Sequence, residues 1–383
     1  MKIVHLVSNF RWTERVEPAA DLAIAQQKLG HDVRFLCGHN KGEPPENCVQ
    51  GRAARKQLEF DDRLIFHKHF RWAATMKDLP RLKKFLASFQ PDVIHAHLSN
   101  AHLLAALALR RAASPCPLLV RTIYGPEGPG WPLRFRWISC PATDGLILAS
   151  EKTNLPVCGR LANAPERIAT ILPGIDVDEF ADRHDLGKLE NITVPPGALV
   201  VGMIASINKR RRLDLALEAV AKLAPRHPNL HLLFIGRGTP ELYIHEPARQ
   251  LGISDRILYA GYCRNDDLVR AFHTMDALIY PIHGTDPSCR TVREALATGT
   301  PVIAANRGIM DELIDDGQTG FLAPFSADGL AEALEKWIAL GPGGRANMSA
   351  AAAADARKRF CRVAQARRAV EFYERLQTLP AKA

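Results

Sequence analysis

The sequence lacks the features that define several large classes of protein. Its eight cysteines are scattered, and because no two form a Cys-x-x-Cys, neither a zinc site nor a disulfide framework is expected. No apolar run approaches the about 18 to 20 residues of a membrane-spanning helix, and no signal-peptide pattern opens the chain. No predicted strand is followed by Gly-x-Gly-x-x-Gly, which argues against a nicotinamide-dependent oxidoreductase. These absences favour a soluble protein of the reducing cytoplasm.

Length and composition indicate two globular domains. The chain has 383 residues, 47% of them hydrophobic and 24% charged, which is typical of soluble proteins and long for a single core. Its formal net charge is +9. Because no nucleic-acid-binding motif is present, we expect no nucleic-acid partner. The positive charge instead favours anionic lipid, an acidic substrate or a ligand that carries phosphate.

Apolar runs that alternate with helical patterns predict an α/β protein. The first unit opens with a strand, a glycine-free loop over 8–18 and a helix over 19–29 that ends at Gly30. A charged segment over 178–196 has the composition of a linker, and the same alternation begins again at Leu199. This order is typical of doubly wound parallel sheets. The predicted strands are 3–7, 33–37, 93–97, 118–122, 145–149 and 168–172, and then 199–204, 230–235, 257–260, 277–280 and 301–304.

The stretch 277–304 carries the clearest functional pattern. A strand over 277–280 precedes a loop, a helix that reaches Ala297 and stops at Gly299, and a second strand. This order places a helix N-terminus at the carboxyl edge of a parallel sheet, where free amide groups and the helix dipole favour an anion. The residues predicted to contact that anion are Ser288, Cys289, Arg290 and Thr291.

Two carboxylates flank the predicted anion site. Asp286 precedes the helix and Glu294 lies within it. An acid cannot itself bind phosphate, so these two are expected to accept hydrogen bonds from hydroxyl groups, which suits a sugar joined to a nucleoside diphosphate. In the alternative, Arg290 and Glu294 form an ordinary surface pair four residues apart, and Asp286 only caps the helix.

Several segments resemble the family 4 glycosyltransferases. Asp286 and Glu294, with the segments EALATGTPVIA and DGQTGFL after them, are similar to that family's pattern of two acids separated by seven residues. GMIASINKRRRLDLALEAVAKL and LLFIGRG precede them in the family's order. The resemblance is weaker in the first half, where KLGHDV, PDVIHAH, DGLILASE and LPGIDVDEF carry it. Together these segments span most of the chain.

The resemblance implies the GT-B fold, with two Rossmann-like doubly wound domains that face a central cleft. Residues 1–180 would bind the acceptor and residues 181–355 the nucleotide-sugar donor. The last segment, 356–383, would return towards the first domain as a helix over 363–379; the alternative is a plain amphipathic cap on the second domain. Family members retain the configuration of the sugar that they transfer.

The resemblance also assigns roles in the donor domain. Lys209 would meet the diphosphate and stabilise the charge that grows on the leaving group. Arg210 would assist it, since Met203 stands where the family often has an arginine; the alternative for this basic run is a solvated helix start. Glu294 would bind the ribose, while Asp286, in place of a glutamate, would touch the donor sugar. Gly236 and Gly238 would let the backbone approach the nucleotide closely.

The first domain departs most from the family. Its first loop has no glycine, and we expect Arg11 and Arg15 to serve an anionic acceptor. His95 and His97 end a strand and are expected to face opposite sides, with His97 lining the acceptor site; a packed core histidine is the alternative. Tyr124 stands where many relatives have a histidine, so any hydrogen bond to the sugar would come from a phenol, uncharged near neutral pH.

No metal is expected. Asp176 and Asp178 match the Asp-x-Asp of metal-dependent glycosyltransferases, but those enzymes have a different fold, and no cluster of oxygen ligands accompanies the pair. Two segments, 70–89 and 131–137, mix basic residues with tryptophan, phenylalanine and leucine. Both are candidates for a peripheral contact with an anionic membrane; amphipathic packing with a basic exposed face is the alternative.

The sequence therefore predicts a metal-independent, retaining glycosyltransferase. It would move a sugar from a nucleotide diphosphate to a hydroxyl of a saccharide or lipid-linked acceptor, in the synthesis of bacterial envelope polysaccharide or lipopolysaccharide. The alternative is a non-catalytic protein of the same fold that binds a nucleotide sugar as a partner or sensor. The departures at Asp286, Met203 and the first loop favour that alternative.

Overall fold

The structure, a computed structural model, forms two compact units. It describes residues 1–67, 70–110, 116–125, 141–152, 164–181, 183–285 and 289–380. One unit comprises Met1–Ile175 with Cys361–Ala383, and the other comprises Asp176–Phe360. The sequence placed these boundaries at 180 and 355, a few residues from where the contacts divide the chain.

The first unit is built on a parallel sheet of seven strands in the order β3-β2-β1-β4-β5-β6-β7. Helices cover both faces of this sheet, which is why its central strands are near-continuous apolar runs. The strands are β1 (Lys2–Leu6), β2 (Asp32–Gly38), β3 (Phe60–Leu64), β4 (Val93–Ala96), β5 (Leu118–Ile123), β6 (Gly145–Leu148) and β7 (Ile168–Thr170). The helices that follow strands here are α1 (Glu17–Lys28), α2 (Val49–Arg55), α3 (Trp72–Phe89) and α4 (Ser99–Leu109).

The second unit repeats this architecture with six parallel strands in the order β10-β9-β8-β11-β12-β13. Its strands are β8 (Leu199–Ile204), β9 (Leu230–Ile235), β10 (Ile257–Tyr259), β11 (Ala277–Tyr280), β12 (Val302–Ala305) and β13 (Gly320–Ala323). Its helices are α5 (Val177–Phe180), α6 (Leu213–Leu223), α7 (Glu246–Gln250), α8 (Asp266–Thr274), α9 (Arg290–Ala297), α10 (Met310–Leu313), α11 (Ala327–Ala339) and α12 (Gly341–Arg359).

Two strands were not predicted from the sequence, and both lie at the edge of a sheet. β3 has the sequence FDDRL, whose three charged residues hide the apolar pattern of a strand. β13 is only four residues long. An edge strand pairs on one side only and is often short or charged. The signal used for the central strands is therefore absent from these two.

The last helix of the chain lies where the sequence predicted it. The sequence predicted a helix over 363–379, and α13 (Arg362–Thr378) occupies this segment after α12 ends at Arg359. α13 belongs to the first unit, where it packs on α1. Gly145 makes room for it, because a Cβ atom there would lie 2.4 Å from Leu376 Cδ1 and 2.9 Å from Phe372 Cζ. None of the described helices is long and apolar enough to cross a membrane.

Each sheet has one point at which the strand order reverses. In the first unit this point lies between β1 and β4, and in the second it lies between β8 and β11. Ligands of doubly wound folds bind beyond the carboxyl ends of the strands at this switch point, because the flanking loops diverge there and leave a crevice. Functional side chains are therefore expected at the two switch points.

We predict that Phe372→Ala lowers the free energy of unfolding of the first unit by about 3 to 5 kcal/mol, since it removes a buried aromatic ring from the face between α13 and the sheet. Glu371→Ala, an exposed neighbour on the same helix, should change stability by less than about 0.5 kcal/mol. Urea denaturation of both variants measures this. Equal stability of the two would show that α13 adds nothing to the first unit.

Candidate functional site

Lys209 and the N-terminus of α9, both predicted to act on the donor, lie at the switch point of the second unit. Lys209 follows β8, and α9 follows β11, so both occupy loops at the carboxyl edge of neighbouring strands. α9 begins at Arg290 and buries Val292 and Leu296 against the sheet. It stops before Gly299, whose φ of +75° is the left-handed conformation typical of a residue just past a helix. Asp286 and Ser288 lie outside the described residues.

A buried ion pair occupies the first turns of α9. Arg290 Nε donates to Glu294 Oε1 at 2.7 Å, and the two side chains are only 16% and 8% exposed. The pair that the sequence left as an alternative is thus present, but it is buried rather than an ordinary surface pair. A buried carboxylate needs such a partner, because burying an unpaired charge is costly. The arginine also fixes the position of the carboxylate at the sheet edge.

Cys289 does not offer the free amide that the sequence predicted. Its N–H donates to the carbonyl oxygen of Thr285 at 3.0 Å, and its side chain is fully buried. The turn that leads into α9 therefore uses this N–H, which is not available to a ligand. Of the predicted anion contacts within the described residues, Arg290 and Thr291 are partly exposed. They remain the candidates at this helix N-terminus.

The basic run after β8 forms a short 3-10 helix, Lys209–Arg211, rather than the start of α6. Asn208 caps it by accepting a hydrogen bond from the N–H of Arg210 at 3.0 Å. Lys209 and Arg210 are exposed, whereas Arg212 pairs with Asp214 at 2.8 Å. Within this run, Lys209 and Arg210 therefore extend into solvent, while Arg212 forms an ion pair within the protein.

Gly236 and Gly238 meet a structural demand of the second sheet. A Cβ atom on Gly236 would lie 1.8 Å from the carbonyl oxygen of Ala205, and one on Gly238 would lie 2.0 Å from that of Ile207. Their φ angles are +153° and +151°. The loops after β8 and β9 thus touch backbone to backbone, and only glycine permits this. The close approach is first of all between two loops of the protein. Met203, below these loops, lies in the hydrophobic core.

The two arginines of the first loop differ in their surroundings. Arg11 Nε donates to Glu43 Oε1 at 2.8 Å, so its charge is already paired at the surface. Arg15 is exposed and makes no hydrogen bond or ion pair with the part of the chain that the structure describes. Of the two, Arg15 is the one available to an anion.

His95 and His97 lie on the same face of the sheet, so the expectation that they face opposite sides is wrong. Residues two apart along a strand project from one face. Their ring centroids are 4.2 Å apart, and both rings lie beside His5 of β1, on which His97 stacks while His95 is tilted. All three histidines are buried, His97 to 1% exposure. The alternative of a packed core histidine therefore describes His97 better than an acceptor contact.

One branch of a buried hydrogen-bond chain runs from Gln26 of α1 to Tyr124. His5 Nε2 lies 2.7 Å from Gln26 Oε1, which can only accept, so His5 Nε2 carries the proton. His5 Nδ1 is then an acceptor and receives His97 Nε2–H at 2.8 Å. His97 Nδ1 in turn accepts from the Tyr124 hydroxyl at 2.7 Å. Both ring nitrogens of His97 are thus engaged within the protein.

The other branch runs from the same glutamine through α13. Gln26 Nε2 donates to the Tyr373 hydroxyl at 3.3 Å, and that hydroxyl donates to His95 Nδ1 at 2.7 Å. His95 Nε2 therefore carries a proton and donates it to Thr122 Oγ1 at 2.6 Å. All three imidazoles are held neutral in one tautomer. The chain links α1, α13, β4 and β5 at the carboxyl edge.

Burial explains why these histidines stay neutral. Removal from water lowers the pKa of His5 from 6.5 to about 4, although the hydrogen bond to Gln26 partly opposes this. Burial, with the charge of Arg121 as a lesser cause, also lowers the pKa of His95 and of His97 well below the ordinary value. The three rings are the one cluster with metal-ligand spacing in the described residues. Their nitrogens are committed to the hydrogen-bond chain just described.

Sequence reasoning missed Arg121, His5, Gln26 and Tyr373. Arg121 had a usable signal, because it is a charge inside the otherwise apolar strand LLVRTI. The others had none, since a histidine in β1 or a tyrosine in the last helix acquires its role only from partners distant in sequence. Of the two membrane candidates, 131–137 lies outside the described residues. The other coincides with α3, whose Trp72 is 64% exposed.

Two family models match this sequence. One, described as Glycosyl transferases group 1, matches residues 189–358, and another, described as Glycosyltransferase Family 4, matches residues 19–179. Glycogen synthase of Mycobacterium tuberculosis is 28% identical over 341 residues, which cover 82% of this chain and 79% of that protein. A phosphatidyl-myo-inositol mannosyltransferase of Mycolicibacterium smegmatis is 27% identical over 66% of this chain and 64% of its own length.

Solved structures share the fold over nearly the whole chain. A glycosyltransferase from Rickettsia africae has a TM-score of 0.76 at 15% identity and covers 99% of both chains. HepE of Anabaena, solved in complex with UDP, has a TM-score of 0.77 at 18% identity and covers 98% of this chain and 100% of its own. At such identities the likeness speaks for the fold. It confirms the predicted α/β fold class, GT-B.

The buried histidines predict a loss of stability in mild acid. Because the unfolded chain takes up protons near pH 6.5 and folded His5 only near pH 4, the free energy of unfolding should fall as the pH falls between these values. One proton contributes a slope of at most about 1.4 kcal/mol per pH unit. His5→Gln should be less stable at pH 7.5 but show a shallower slope. Urea denaturation from pH 7.5 to 5 measures this.

The exposed His283 provides the control. His283→Gln should keep the slope of the wild-type protein, because the substitution leaves the buried cluster intact. If His5→Gln and wild type showed the same slope between pH 6.5 and 5, His5 would not be the buried neutral group described above.

Proposed function

We propose, from the premise that this chain belongs to the glycosyltransferases of group 1 and family 4, that it is a retaining enzyme. It would transfer a sugar from a nucleotide diphosphate to a hydroxyl group. The observation that carries the proposal is the buried pair of Arg290 and Glu294 at the N-terminus of α9, at a switch point of a doubly wound sheet. A fixed carboxylate beside a helix N-terminus suits a ligand that combines hydroxyl groups with phosphate.

The donor would lie on the second unit. Glu294 would accept hydrogen bonds from the ribose, and the amides at the start of α9 with Arg290 would face the diphosphate. Asp286 would touch the donor sugar, and the turn at Gly236 and Gly238 would lie near the base. In support, HepE of Anabaena, which shares this fold, has been solved with UDP and with UDP-glucose. We therefore propose a nucleoside-diphosphate sugar as the donor.

The departing diphosphate would be stabilised by the protein's own charges. Lys209 and Arg210 are exposed on the loop after β8, the strand next to β11 in the sheet. A cation there offsets the negative charge that develops as the glycosidic bond breaks. We propose front-face attack, in which the leaving phosphate takes the proton of the acceptor hydroxyl, with no metal required. The acceptor's oxygen bonds to the sugar on the face from which the diphosphate departs, so the configuration of the sugar is retained.

The acceptor would lie at the switch point of the first unit. Of the predicted acceptor contacts we favour Arg15, because Arg11 is paired with Glu43, and His97 and Tyr124 are buried and hydrogen-bonded to each other. Relatives include a phosphatidyl-myo-inositol mannosyltransferase. A saccharide or lipid-linked acceptor in bacterial envelope synthesis is consistent with that similarity.

A protein that binds a nucleotide sugar without transferring it is the alternative. The buried Met203 leaves no cation at the position where relatives often have an arginine, which favours this alternative. Hydrolysis of donor in the absence of acceptor distinguishes the two. Slow release of nucleoside diphosphate, unchanged by a metal chelator, supports a metal-independent enzyme, and its absence with every nucleotide sugar that binds supports the alternative.

We predict that Glu294→Gln weakens the binding of nucleoside diphosphates by about tenfold or more, since it removes a charged acceptor while keeping the shape of the side chain. Isothermal titration with a panel of nucleoside diphosphates would identify the base and measure the effect. Lys209→Ala should weaken the same ligand but leave binding of the free nucleoside unchanged, because the lysine would contact only phosphate.

Glu332→Gln, an exposed glutamate on α11 of the same unit, should leave the affinity unchanged. Wild-type affinity in Glu294→Gln would contradict the donor site proposed here. So would a loss that Glu332→Gln reproduces, because the effect would then be a general one of charge.

We also propose that the protein lies peripherally at the inner face of an anionic membrane and contacts it through α3. The exposed positions of this helix include Trp72 and three lysines, Lys77, Lys83 and Lys84. Tryptophan favours the interface between lipid and water, and each lysine near an anionic surface contributes about 1 kcal/mol of attraction. An acceptor anchored in lipid would be reached from such a surface.

We predict that the double variant Lys83→Glu with Lys84→Glu binds vesicles that contain phosphatidylserine at least about 30-fold more weakly than wild type. Vesicle flotation at two salt concentrations measures this. Lys336→Glu with Lys358→Glu makes the same change of charge at exposed positions of the second unit and should bind as wild type does. If flotation of the wild-type protein did not depend on the anionic lipid content of the vesicles, the proposal would be wrong.

A further inference from the structure

A buried arginine lies at the carboxyl edge of the first sheet and has no role in the fold described so far. Arg121 is the fourth residue of β5, where its neighbours across the sheet are Ala96 and Leu146. Its side chain is 5% exposed. The strand brings it to the switch-point end of the sheet, three residues before Tyr124.

The hydrogen-bonding capacity of Arg121 is largely unused. Within the described residues, no atom accepts a hydrogen bond from its Nε or Nη1. Its Nη2 lies 3.4 Å from Ser99 Oγ, a long contact. Burial lowers the pKa of Arg121 from 12.5 to about 9, the nearby Tyr124 opposes this, and the charge of Arg15 adds to it. The side chain therefore keeps its charge at pH 7, and no carboxylate among the described residues serves as its counter-ion.

An uncompensated buried guanidinium is costly to the fold. Burial of a charge without a partner costs several kcal/mol, and orphaned buried donors add to this. Replacement by an apolar residue would be more stable, so the arginine is best explained by a partner that is not among the described residues. A guanidinium presents a planar fork of donors, and its natural partner is an oxyanion such as phosphate or carboxylate.

Two further features favour an anion at this place. Ser99 is the first residue of the eleven-residue helix α4, so the one side-chain hydrogen bond that Arg121 makes within the described residues is directed at a helix N-terminus. The N-cap residue of that helix is Leu98, which makes no side-chain capping hydrogen bond. The positive end of the α4 dipole thus adds to the charges of Arg121 and Arg15.

We propose that Arg121, Arg15 and the N-terminus of α4 form a subsite for an oxyanion carried by the acceptor. The guanidinium would donate from Nε and Nη1, Ser99 would contribute its hydroxyl, and Arg15 would cover the anion from the solvent side. Because the arginine is shielded from water, the charge pair would be stronger than at an open surface. This assignment of an acidic group to the acceptor rests on the proposed function, whereas the binding of the oxyanion does not.

The proposal can be tested without nucleotide or acceptor. Inorganic phosphate and acetate serve as probes in thermal denaturation of the full chain, against sodium chloride at matched ionic strength. We expect a saturating oxyanion to raise the melting temperature of wild type by about 2 to 4 °C. Arg121→Met should lose this shift, which corresponds to at least tenfold weaker binding. Its melting temperature without anion should be no lower than that of wild type, because an unpaired charge has been removed.

Two variants separate this subsite from other effects. Arg167 is a buried arginine of the same unit whose Nη1 and Nη2 donate to the carbonyl oxygens of Asp144 and Pro380 at 3.3 and 2.6 Å. Arg167→Met should therefore be less stable but keep the phosphate shift. Lys209→Ala, which weakens the proposed donor site, should also keep it. If the donor site alone bound phosphate, Lys209→Ala would lose the shift and Arg121→Met would keep it, which would overturn the proposal.

The remaining outcomes are equally decisive. A shift by acetate as large as that by phosphate, lost in Arg121→Met, supports the subsite and assigns a carboxylate, while a shift by phosphate alone assigns a phosphate ester. No shift in wild type with either probe overturns the proposal. Should Arg121→Met fail to fold, the exposed Arg15→Gln decides: weaker phosphate binding supports the subsite and unchanged binding overturns it. Because no nucleotide is used, failure here leaves the donor proposal intact, and the reverse also holds.

Discussion

The structure depends on the burial of two parallel sheets on both faces. Once helices cover both faces, the only places for polar function are the edges where the strands end. All strands of a parallel sheet end at the same edge, so loops far apart in sequence meet there. Lys209 and Arg290 become neighbours of one switch point in this way, and Arg15 and Arg121 of the other. The chemistry of the protein is therefore confined by the same constraint that stabilises its core.

Several charged and polar groups at these edges are buried, although Lys209, Arg210 and Arg15 are exposed. In the second unit a buried carboxylate is paired with the arginine one helical turn before it. In the first unit three histidines, two tyrosines and a glutamine satisfy one another without any charge. Arg121 follows neither rule, since it is buried and charged but has no counter-ion in the part of the chain that the structure describes. A polar network that is complete stabilises the fold, and an incomplete one indicates a missing partner.

The glycines after β9 illustrate how a motif can have a structural cause. Gly236 and Gly238 resemble a nucleotide-binding turn, yet the contacts with Ala205 and Ile207 already require glycine at both positions. The fold therefore already accounts for both glycines. A short motif of this kind does not by itself separate a structural cause from a ligand site.

The sequence by itself determined the fold class and the segment that forms the candidate donor site. Apolar strands and amphipathic helices are local patterns, and α9 with Arg290 and Glu294 lies within one short segment, so spacing alone predicts a carboxylate near a helix N-terminus. Only the tertiary structure decided that this ion pair is buried and that the Cys289 N–H donates to Thr285. It also decided that His95 and His97 join His5 in one network of hydrogen bonds. Burial and the contacts of the histidines depend on partners that lie tens to hundreds of residues away, such as the 92 residues between His5 and His97 and the 278 between His95 and Tyr373. Such partners leave no trace in the local pattern, because the fold, and not the neighbouring sequence, brings them together.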